Sequence, residues 1–265
     1  MKKRFISGAV LIVISVACAV ISPVTRVMLL AAAGIICAYE YSRGLERVNV
    51  YCCAWVMYLY ISAQALLALL HAGPIAFIAC FSGAVYLALF SGVMHSKVSG
   101  AGALNTLAGV AYPCFLISLL MVISVTDIWA ETMILGCVSS LICDAFALFG
   151  GMRFGKHKLA PRISPKKTVE GALSGEISAV LFGAGAYFLL ELLGCRGFSP
   201  AVCILTAVIS SLMGQAGDLA ESMVKRNLGL KDFSNLIPGH GGMFDRADSL
   251  LFAVPTAFLC LYIAA

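Results

Sequence analysis

Residues 74–94 read PIAFIACFSGAVYLALFSGVM, a run of 21 residues without a charged side chain. An apolar run of about 18 or more residues is long enough to cross the hydrocarbon core of a bilayer as a helix. Lipid offers backbone amides no hydrogen-bond partner, so spans of this length must be helical. Nine stretches qualify, at residues 5–22, 24–42, 50–71, 74–94, 102–126, 131–151, 171–194, 199–224 and 246–265. The sequence therefore predicts an all-α integral membrane protein with about nine transmembrane helices.

The composition of the whole chain supports this prediction. Hydrophobic residues make up 61% of its 265 residues and charged residues 12%, and the mean hydropathy is +0.98. Nine spans leave almost no chain for a soluble domain. We therefore expect a single transmembrane domain over residues 1–265, with an apolar helical half at 1–130 and a half at 131–265 that carries the polar motifs.

The distribution of Lys and Arg predicts the orientation of the helices, because these residues accumulate on cytoplasmic loops. If Lys2, Lys3 and Arg4 lie inside, 16 of the 18 basic residues lie inside, and only Arg26 and Arg196 lie outside. Nine crossings then place the N-terminus in the cytoplasm and the C-terminus outside.

The N-terminus also imitates a cleavable signal peptide. It combines a basic start, an apolar run and the small residues Ala17-Cys18-Ala19. Nothing downstream resembles a secreted domain, so we expect an uncleaved first helix.

Two other classes of protein are disfavoured. Most of the 11 cysteines stand singly within apolar spans, where free Cys behaves as a small hydrophobe, and no Cys-x-x-Cys pair exists. A zinc or disulfide framework is therefore not expected. The net charge of +5 comes without a basic, aromatic-interleaved soluble surface, so we expect no nucleic-acid partner.

Two polar segments, residues 144–170 and 218–248, contrast with this apolar background. Their 58 residues hold 17 of the 31 charged side chains of the protein. In the orientation above, both segments face the cytoplasm. We expect the chemistry of the protein to lie there.

Part of the first segment imitates a nucleotide-binding P-loop. Residues 150–157 read GGMRFGKH, which nearly fits the pattern GxxxxGK[ST]. His157 stands where a hydroxyl should reach Mg²⁺, and the run follows a predicted membrane helix rather than a strand. We therefore reject a P-loop and retain a basic, glycine-containing loop suited to holding phosphates.

Four carboxylates at predicted helix ends are candidate metal ligands. Asp144, Asp218, Asp245 and Asp248 lie where unpaired negative charge is costly, although capping of the last helix is an alternative role for Asp245 and Asp248. Hard oxygen ligands suit Mg²⁺, which takes one or two carboxylates together with substrate phosphate oxygens. Cations accompany them at Lys156, Lys158, Arg162, Lys166, Lys167, Lys225, Arg226, Lys231 and Arg246.

A glycine-rich turn, PGHGG at residues 238–242, completes this set, because its backbone amides can face an anion just before a helix begins. Carboxylates for a metal, a basic loop and a glycine turn together suit phosphoryl or nucleotidyl transfer. That chemistry requires mainly positioning and charge neutralisation.

Glu40 is the one acid of the apolar half that is placed for burial, near the inner end of the second span. An intramembrane carboxylate is a functional candidate by default. Arg43 and Arg47 follow it at three and seven residues, so an interfacial salt bridge is the favoured interpretation.

The two polar segments carry a long series of spaced residues. The second contains Gly214-Gln215-x-Gly217-Asp218-Leu219-x-Glu221, Ser222-x-x-Lys225-Arg226-x(4)-Lys231-Asp232-x-Ser234 and Ile237-Pro238-x-His240-Gly241-Gly242-x-x-Asp245-Arg246-x-Asp248. The first contains Phe154-Gly155-Lys156-His157-Lys158-Leu159-Ala160-Pro161 and Ser164-Pro165-Lys166-Lys167-Thr168-x-Glu170-Gly171. This series closely resembles the signature of the phosphatidate cytidylyltransferase (CDP-diacylglycerol synthase) family. It departs from the family pattern at Ala145, where a Ser or Thr is usual, and at Leu148 and Ala247.

The resemblance implies a Mg²⁺-dependent membrane enzyme of phospholipid biosynthesis that converts CTP and phosphatidate to CDP-diacylglycerol and pyrophosphate. Residues 131–265 would be its catalytic half, with Asp218, Asp245, Lys167 and Arg246 in catalysis and Asp218, Asp245, Asp144 and Asp248 around Mg²⁺. Substrate phosphates would be bound by Lys166, Lys167, Ser222, Lys225, Arg226, His240, Gly241 and Gly242. The resemblance also implies K⁺ as a second cation, a homodimer, and an active site on the cytoplasmic side of the inner or plasma membrane.

Two alternatives stay open. A related CTP-dependent enzyme that phosphorylates a polyprenol-like lipid would share the nucleotide. A membrane cation transporter would also place carboxylates at membrane depth, but near the middle of its spans rather than at inner helix ends beside phosphate-suited bases.

Overall fold

The structure of the protein is a computed structural model that describes residues 13, 15–195, 197–234, 236 and 241–265. The described chain is mainly helical. Its helices are α1 Pro23–Glu46, α2 Ala54–Leu69, α3 Pro74–Met94, α4 Gly100–Gly109, α5 Leu116–Ile123, α6 Trp129–Thr132, α7 Ser139–Phe154, α8 Val169–Leu192, α9 Pro200–Asn227, α10 Phe244–Ala247 and α11 Leu250–Ala264. Two π-helical turns, Val110–Phe115 and Met133–Val138, join α4 to α5 and α6 to α7.

Among the described residues, seven helical spans are long and apolar enough to cross a membrane, which agrees with a multi-pass membrane protein. They are Pro23–Glu46, Pro74–Met94, Gly100–Ser124, Trp129–Phe154, Val169–Leu192, Pro200–Asn227 and Phe244–Ala264. The predicted span at 50–71 corresponds to α2, an apolar helix of only 16 residues. Half of the predicted span at 5–22, together with the basic residues before it, lies outside the described residues.

Local chemistry explains where several helices begin. At the start of α1, the Ser22 hydroxyl accepts from the amide of Thr25, and the Thr25 hydroxyl accepts from the amide of Ser22, each at 3.2 Å. This reciprocal pair is a capping box, and Pro23 follows at the first helical position, which favours proline. Ser99 caps α4 in the same way by accepting from the amide of Gly102 at 3.1 Å.

Helix α3 shows how the protein packs in lipid. Its only buried residues are the small side chains of Ala84, Ala88 and Ser91, while large apolar side chains such as Ile75 and Val93 are exposed. A Cβ at Gly92 would lie 3.2 Å from the Cβ of Ala103 on α4. Small residues therefore face the protein and large ones face outward, as close helix packing in a bilayer requires.

One small β-hairpin interrupts the helical pattern, and the all-α prediction missed it. Strand β1, Lys158–Ala160, pairs antiparallel with β2, Ser164–Thr168, with Lys158 opposite Thr168 and Ala160 opposite Ser164. The last residue of β2 is also the N-cap of α8, because the Thr168 hydroxyl accepts from the amide of Gly171 at 3.2 Å. The hairpin therefore runs directly into a membrane helix.

The chain forms two compact units. The first contains the described residues up to 125 together with 227–246, and the second contains 126–226 and 247–265. The polar segment 218–248 is thus divided between the units: residues 227–246 belong to the first unit, and residues 218–226 and 247–248 belong to the second. The core of the second unit includes Leu135, Cys203, Ala207 and Leu261.

Candidate functional site

Three carboxylates of the second unit form what we call the carboxylate cluster: Asp144, Asp218 and Asp248. Asp144 lies on α7, Asp218 on α9, and Asp248 just before α11. Asp218 interacts electrostatically with both other members, and Asp144 and Asp248 also interact with each other. Acids that repel one another in or beside membrane helices are unfavourable without a compensating cation.

Two lysines face this cluster. The ammonium group of Lys167 forms an ion pair with Asp218, and both side chains are 26% exposed. Lys225 forms an ion pair with the fully buried Glu221 one turn earlier on α9, and it also attracts Asp248. Lys225 is itself nearly buried, and Glu221 compensates its charge within the protein. The phosphate-binding role that the sequence predicts for Lys225 would come in addition to this ion pair.

Two hydrogen bonds and a close contact between the backbones of Gly217 and Asp248 complete the cluster. The Ser222 hydroxyl donates to Asp218 at 3.4 Å, and the amide of Ser249 donates to Oδ1 of Asp248 at 2.7 Å. A Cβ at Gly217 would lie 2.7 Å from the carbonyl oxygen of Asp248, so glycine at this position lets α9 approach Asp248.

The β-hairpin positions Lys167. Successive strand residues face opposite sides, so Lys166 and Lys167 on β2 project differently. Lys167 is half-buried and reaches Asp218, whereas Lys166 is exposed. The Arg226 guanidinium donates from Nε to the carbonyl oxygen of Ile163 at 3.2 Å and so links the end of α9 to the hairpin turn. Of the predicted basic residues, Lys167 is the one that the structure brings to the carboxylate cluster most directly.

The basic loop before β1 is organised by a carboxylate. Glu170 accepts from the amides of Lys156 at 3.0 Å and His157 at 3.2 Å, and from Nδ1 of His157 at 2.6 Å. Residues 150–154 of the run at 150–157 form the end of helix α7, so the run does not follow a strand, which agrees with the rejection of a P-loop. Glu170 thus takes the amides that would face a phosphate in a P-loop.

The remaining predicted site residues belong to the first unit. One oxygen of the buried Asp245, Oδ2, accepts from the amides of Gly242 at 2.8 Å and Phe233 at 3.1 Å. Gly241 has φ = +87°, a left-handed conformation that favours glycine. Arg246 follows with an exposed side chain, while His240 lies outside the described residues. Asp245 therefore holds the turn at 241–242 in addition to any role toward a metal.

The predicted salt bridge of Glu40 to Arg43 or Arg47 is wrong. Arg43 pairs instead with Glu46 at 2.8 Å. Glu40 is 1% exposed, and its Oε1 accepts from the Ser234 hydroxyl at 2.5 Å and the Met243 amide at 3.0 Å, while Oε2 accepts from the Phe244 amide at 2.8 Å. We call Glu40 with these three donors the Glu40 clasp. The apolar half of the sequence, residues 1–130, thus provides an acid that binds residues of the family signature in the second polar segment.

Aromatic packing forms the base of the clasp. Phe233 and Phe244 are both fully buried and stack with their ring centroids 4.7 Å apart, and Tyr112 contacts Phe244 at 5.2 Å. A Cβ at Gly44 would lie 3.3 Å from the Phe233 ring, so the end of α1 packs closely against this segment.

A half-buried polar network in the second unit was missed by sequence reasoning. Glu176 on α8 accepts from the amide group of Gln215 at 2.6 Å and from the hydroxyl of Ser211 at 2.8 Å. The Cys143 thiol lies 3.7 Å from the same carboxylate. An acid within an apolar span was the available signal, since such residues are rare and usually paired inside the protein. This network joins α7, α8 and α9 beside Asp144 and Asp218.

The donor set is suited to Mg²⁺. Three carboxylates that repel one another provide hard oxygen ligands, and Mg²⁺ uses only one or two of these when substrate phosphates supply the rest. No group of three or more His, Cys, Asp or Glu side chains among the described residues forms a ready-made metal site. The carboxylate cluster could therefore hold Mg²⁺ together with a phosphate ligand rather than in an all-protein cage.

Comparison with known proteins finds curated relatives that share one name, phosphatidate cytidylyltransferase. A phosphatidate cytidylyltransferase of Thermotoga maritima is 36% identical over 135 residues, which are 50% of each chain. One of Haemophilus influenzae is 44% identical over 117 residues, 42% of this chain and 39% of its own. One of Bacillus subtilis is 39% identical over 125 residues, 47% of this chain and 45% of its own. The chain thus spans about half the length of the curated relatives it matches, or somewhat less.

The family itself is identified over nearly the full length. A sequence model described as "Cytidylyltransferase family" matches residues 2–264. The resemblance drawn from the motifs is therefore confirmed for the family: the chain belongs to the cytidylyltransferase family.

Proposed function

We propose that this protein transfers the cytidylyl group of CTP to phosphatidate and so forms CDP-diacylglycerol and pyrophosphate. The observation that carries the proposal is the carboxylate cluster with Lys167 paired to Asp218. It places acids for a metal beside an ammonium group for a phosphate. The curated relatives are named for this activity, which supports the same conclusion.

The reaction needs little covalent help from the protein. An oxygen of the phosphatidate phosphate would form a bond to the α-phosphorus of CTP, while the bond from that phosphorus to the pyrophosphate oxygen breaks. A phosphate is already anionic at neutral pH, so no side chain has to remove a proton from it. The protein must instead bring two highly charged substrates together and neutralise the charge that leaves with pyrophosphate.

The side chains would divide this task. Asp218, with Asp144 and Asp248, would hold Mg²⁺, and the sequence resemblance adds Asp245 to the ligands and K⁺ as a second cation. When bound, Mg²⁺ would neutralise phosphate oxygens and support departure of pyrophosphate. Lys167 would move between Asp218 and a substrate phosphate. The other predicted phosphate-binding residues are Lys166, Ser222, Lys225, Arg226, His240, Gly241, Gly242 and Arg246.

The membrane arrangement is part of the proposal. We propose nine helices with the N-terminus inside, both polar segments facing the cytoplasm, and a homodimer in the inner or plasma membrane. A reporter fused after Ala265 should then lie outside, and one inserted near Lys158 should lie inside. Finding both reporters on the same side would contradict the nine-helix topology.

The activity is tested by the position of the label that reaches the lipid. Purified protein in mixed micelles with phosphatidate would receive CTP labelled at either the α- or the γ-phosphorus, with Mg²⁺ or with excess EDTA. We expect the α-label to enter the lipid and the γ-label to appear in pyrophosphate, both only with Mg²⁺. The Asp218→Asn protein, prepared identically, measures the contaminating background.

The same experiment separates the alternatives. Transfer of the γ-label to a polyprenol, added to the micelles in place of phosphatidate, would indicate the lipid kinase. Cation flux through reconstituted vesicles, with no label in any lipid, would indicate the transporter.

A further inference from the structure

The Glu40 clasp connects two parts of the first unit that are far apart in sequence. Its donors lie 194 to 204 residues after Glu40. Two are backbone amides, those of Met243 and Phe244, and the third is the Ser234 hydroxyl. The bonds at 234 and at 243–244 therefore fix both sides of the turn that contains Gly241 and Gly242.

The clasp compensates a buried negative charge. Glu40 is 1% exposed, and its hydrogen-bond donors among the described residues all belong to the signature segment. Bonds from neutral donors to an ionised carboxylate are roughly twice as strong as bonds between neutral groups. Losing one of them would leave charge that is both buried and poorly compensated. The position of the turn is thus coupled to the charge of Glu40.

Gly242 shows how closely the turn and the carboxylate approach. A Cβ at this position would lie 2.7 and 2.8 Å from the two oxygens of Glu40 and 2.9 Å from Oδ2 of Asp245. A side chain at 242 would therefore displace one or both carboxylates. Glycine is required here because the turn lies between two acids, one from α1 and one from α10.

We infer that Glu40 is a positioning residue for cytidylyl transfer: it fixes the turn at 241–242, which the sequence resemblance implies holds the pyrophosphate that leaves from CTP. This inference rests on the proposed function. It predicts an effect on one substrate: disturbing the clasp should lower kcat and raise the KM for CTP, while the KM for phosphatidate stays unchanged. A general loss of stability would reduce the amount of folded protein, but it would not raise the KM for CTP while leaving the KM for phosphatidate unchanged.

The first variant is Glu40→Gln, which keeps the size of the side chain but provides one acceptor oxygen instead of two. Its matched control is Glu46→Gln, six residues later on α1, which loses the exposed ion pair with Arg43. Hydrogen–deuterium exchange would follow the amides of Met243 and Phe244, and kinetics would be measured on monodisperse protein. In Glu40→Gln we expect exchange at these amides to accelerate at least about tenfold and kcat/KM for CTP to fall about 30-fold. The control should change neither by more than about twofold.

The second variant, Gly242→Ala, disturbs the clasp from the opposite side and leaves Glu40 intact. Its control is Gly83→Ala on α3, because a Cβ at Gly83 meets nothing within 4 Å. Gly242→Ala should reproduce both effects of Glu40→Gln. The double variant Glu40→Gln/Gly242→Ala should lose much less than the product of the two single losses, since both act on one contact.

The outcomes separate this inference from the proposed function. Unchanged exchange at 243–244 in Glu40→Gln and Gly242→Ala overturns the clasp, whatever the activity. Faster exchange with unchanged kcat and KM for CTP overturns the positioning role. If the wild type transfers no cytidylyl group at all, the proposed function and the positioning role both fail, while the exchange data still show whether the clasp exists.

Discussion

In the first unit, the buried carboxylates of Glu40 and Asp245 accept hydrogen bonds from backbone amides of the segment they hold. In the second unit, Asp144, Asp218 and Asp248 repel one another and face mainly ammonium groups, and only Asp248 also accepts from a backbone amide, that of the adjacent Ser249. Both sets lie in a protein in which only 12% of residues are charged, so neither can rely on a generally polar surrounding. The two sets differ in the kind of group that compensates the charge.

This difference separates structural from chemical roles. Backbone amides are fixed dipoles that cannot leave, so a carboxylate bound to them holds a loop in place. A lysine ammonium group lies on a flexible stem, and it can exchange a carboxylate for a phosphate when a substrate arrives. We therefore expect the carboxylate cluster to contribute to the reaction directly and the Glu40 clasp to contribute through the shape of the turn.

The largest effect should come from removing the cation that faces the cluster. Lys167→Ala leaves Asp218 without its ion pair among acids that already repel one another. We expect kcat/KM to fall roughly 1,000-fold, about 4 kcal/mol of transition-state stabilisation. Lys167→Arg should keep topology and expression but raise the KM for CTP or phosphatidate, because a planar guanidinium does not replace a compact ammonium.

Lys166→Ala is the matched control for this prediction. It removes the same charge from the same loop, but Lys166 is exposed and projects from the other side of β2. We expect a loss below about tenfold. Wild-type kinetics in Lys167→Ala would assign the whole basic loop to membrane anchoring.

Asp218→Asn tests the acid of the same pair. The substitution keeps the size of the side chain and its bond from Ser222 but removes the charge that Mg²⁺ requires. We expect kcat to fall at least about 100-fold, or roughly 2.7 kcal/mol, with the fold intact by size exclusion and thermal melting. Asp232→Asn, on an exposed part of the signature, is the control and should cost much less. Near-normal activity in Asp218→Asn would refute the metal assignment.

The sequence was sufficient to predict the features that depend on a local pattern of residues, namely the membrane spans, the course of α9 and the family. Apolar runs predicted the seven spans found among the described residues, and α9 continues through Gln215, Asp218, Ser222 and Lys225 as their helical spacing predicts. Spaced motifs identified the family because each fixed residue can be recognised without knowledge of its partners. The hairpin was missed because β1 and β2 have only three and five residues, too few to show an alternating pattern.

Contacts between distant residues could not be predicted in this way. Glu40 was assigned to Arg43 because helical spacing made that arginine the nearest cation in sequence. The protein instead buries Glu40 against donors about 200 residues later. Glu176 was missed for the same reason, since its partners Ser211 and Gln215 lie on another helix. A partner from another element becomes visible only when the fold is known.

Asp245→Asn tests a residue for which both a chemical and a structural role are proposed. The sequence predicts that it binds Mg²⁺, and the structure shows that one of its oxygens holds Gly242 and Phe233. An Asn oxygen can accept both amides, so exchange at 233 and 242 should stay within about twofold of wild type. We expect activity to fall about 30-fold because the charge is lost. A large rise in exchange would instead indicate that the backbone role explains the defect.

The smallest effect should come from His157, whose ring pairs with Glu170 at 2.6 Å at the surface. The two side chains are 79% and 24% exposed, and exposed ion pairs contribute only about 0.2–1 kcal/mol. In His157→Ala, Glu170 would keep its bonds from the amides of Lys156 and residue 157, so the loop should retain its conformation. We expect kcat to change less than about twofold and the midpoint of thermal unfolding to shift by no more than about 2 °C. A tenfold fall in kcat with unchanged thermal stability would contradict this. It would show that the loop binds substrate through His157, and that carboxylates bound to backbone amides can also belong to the chemical site.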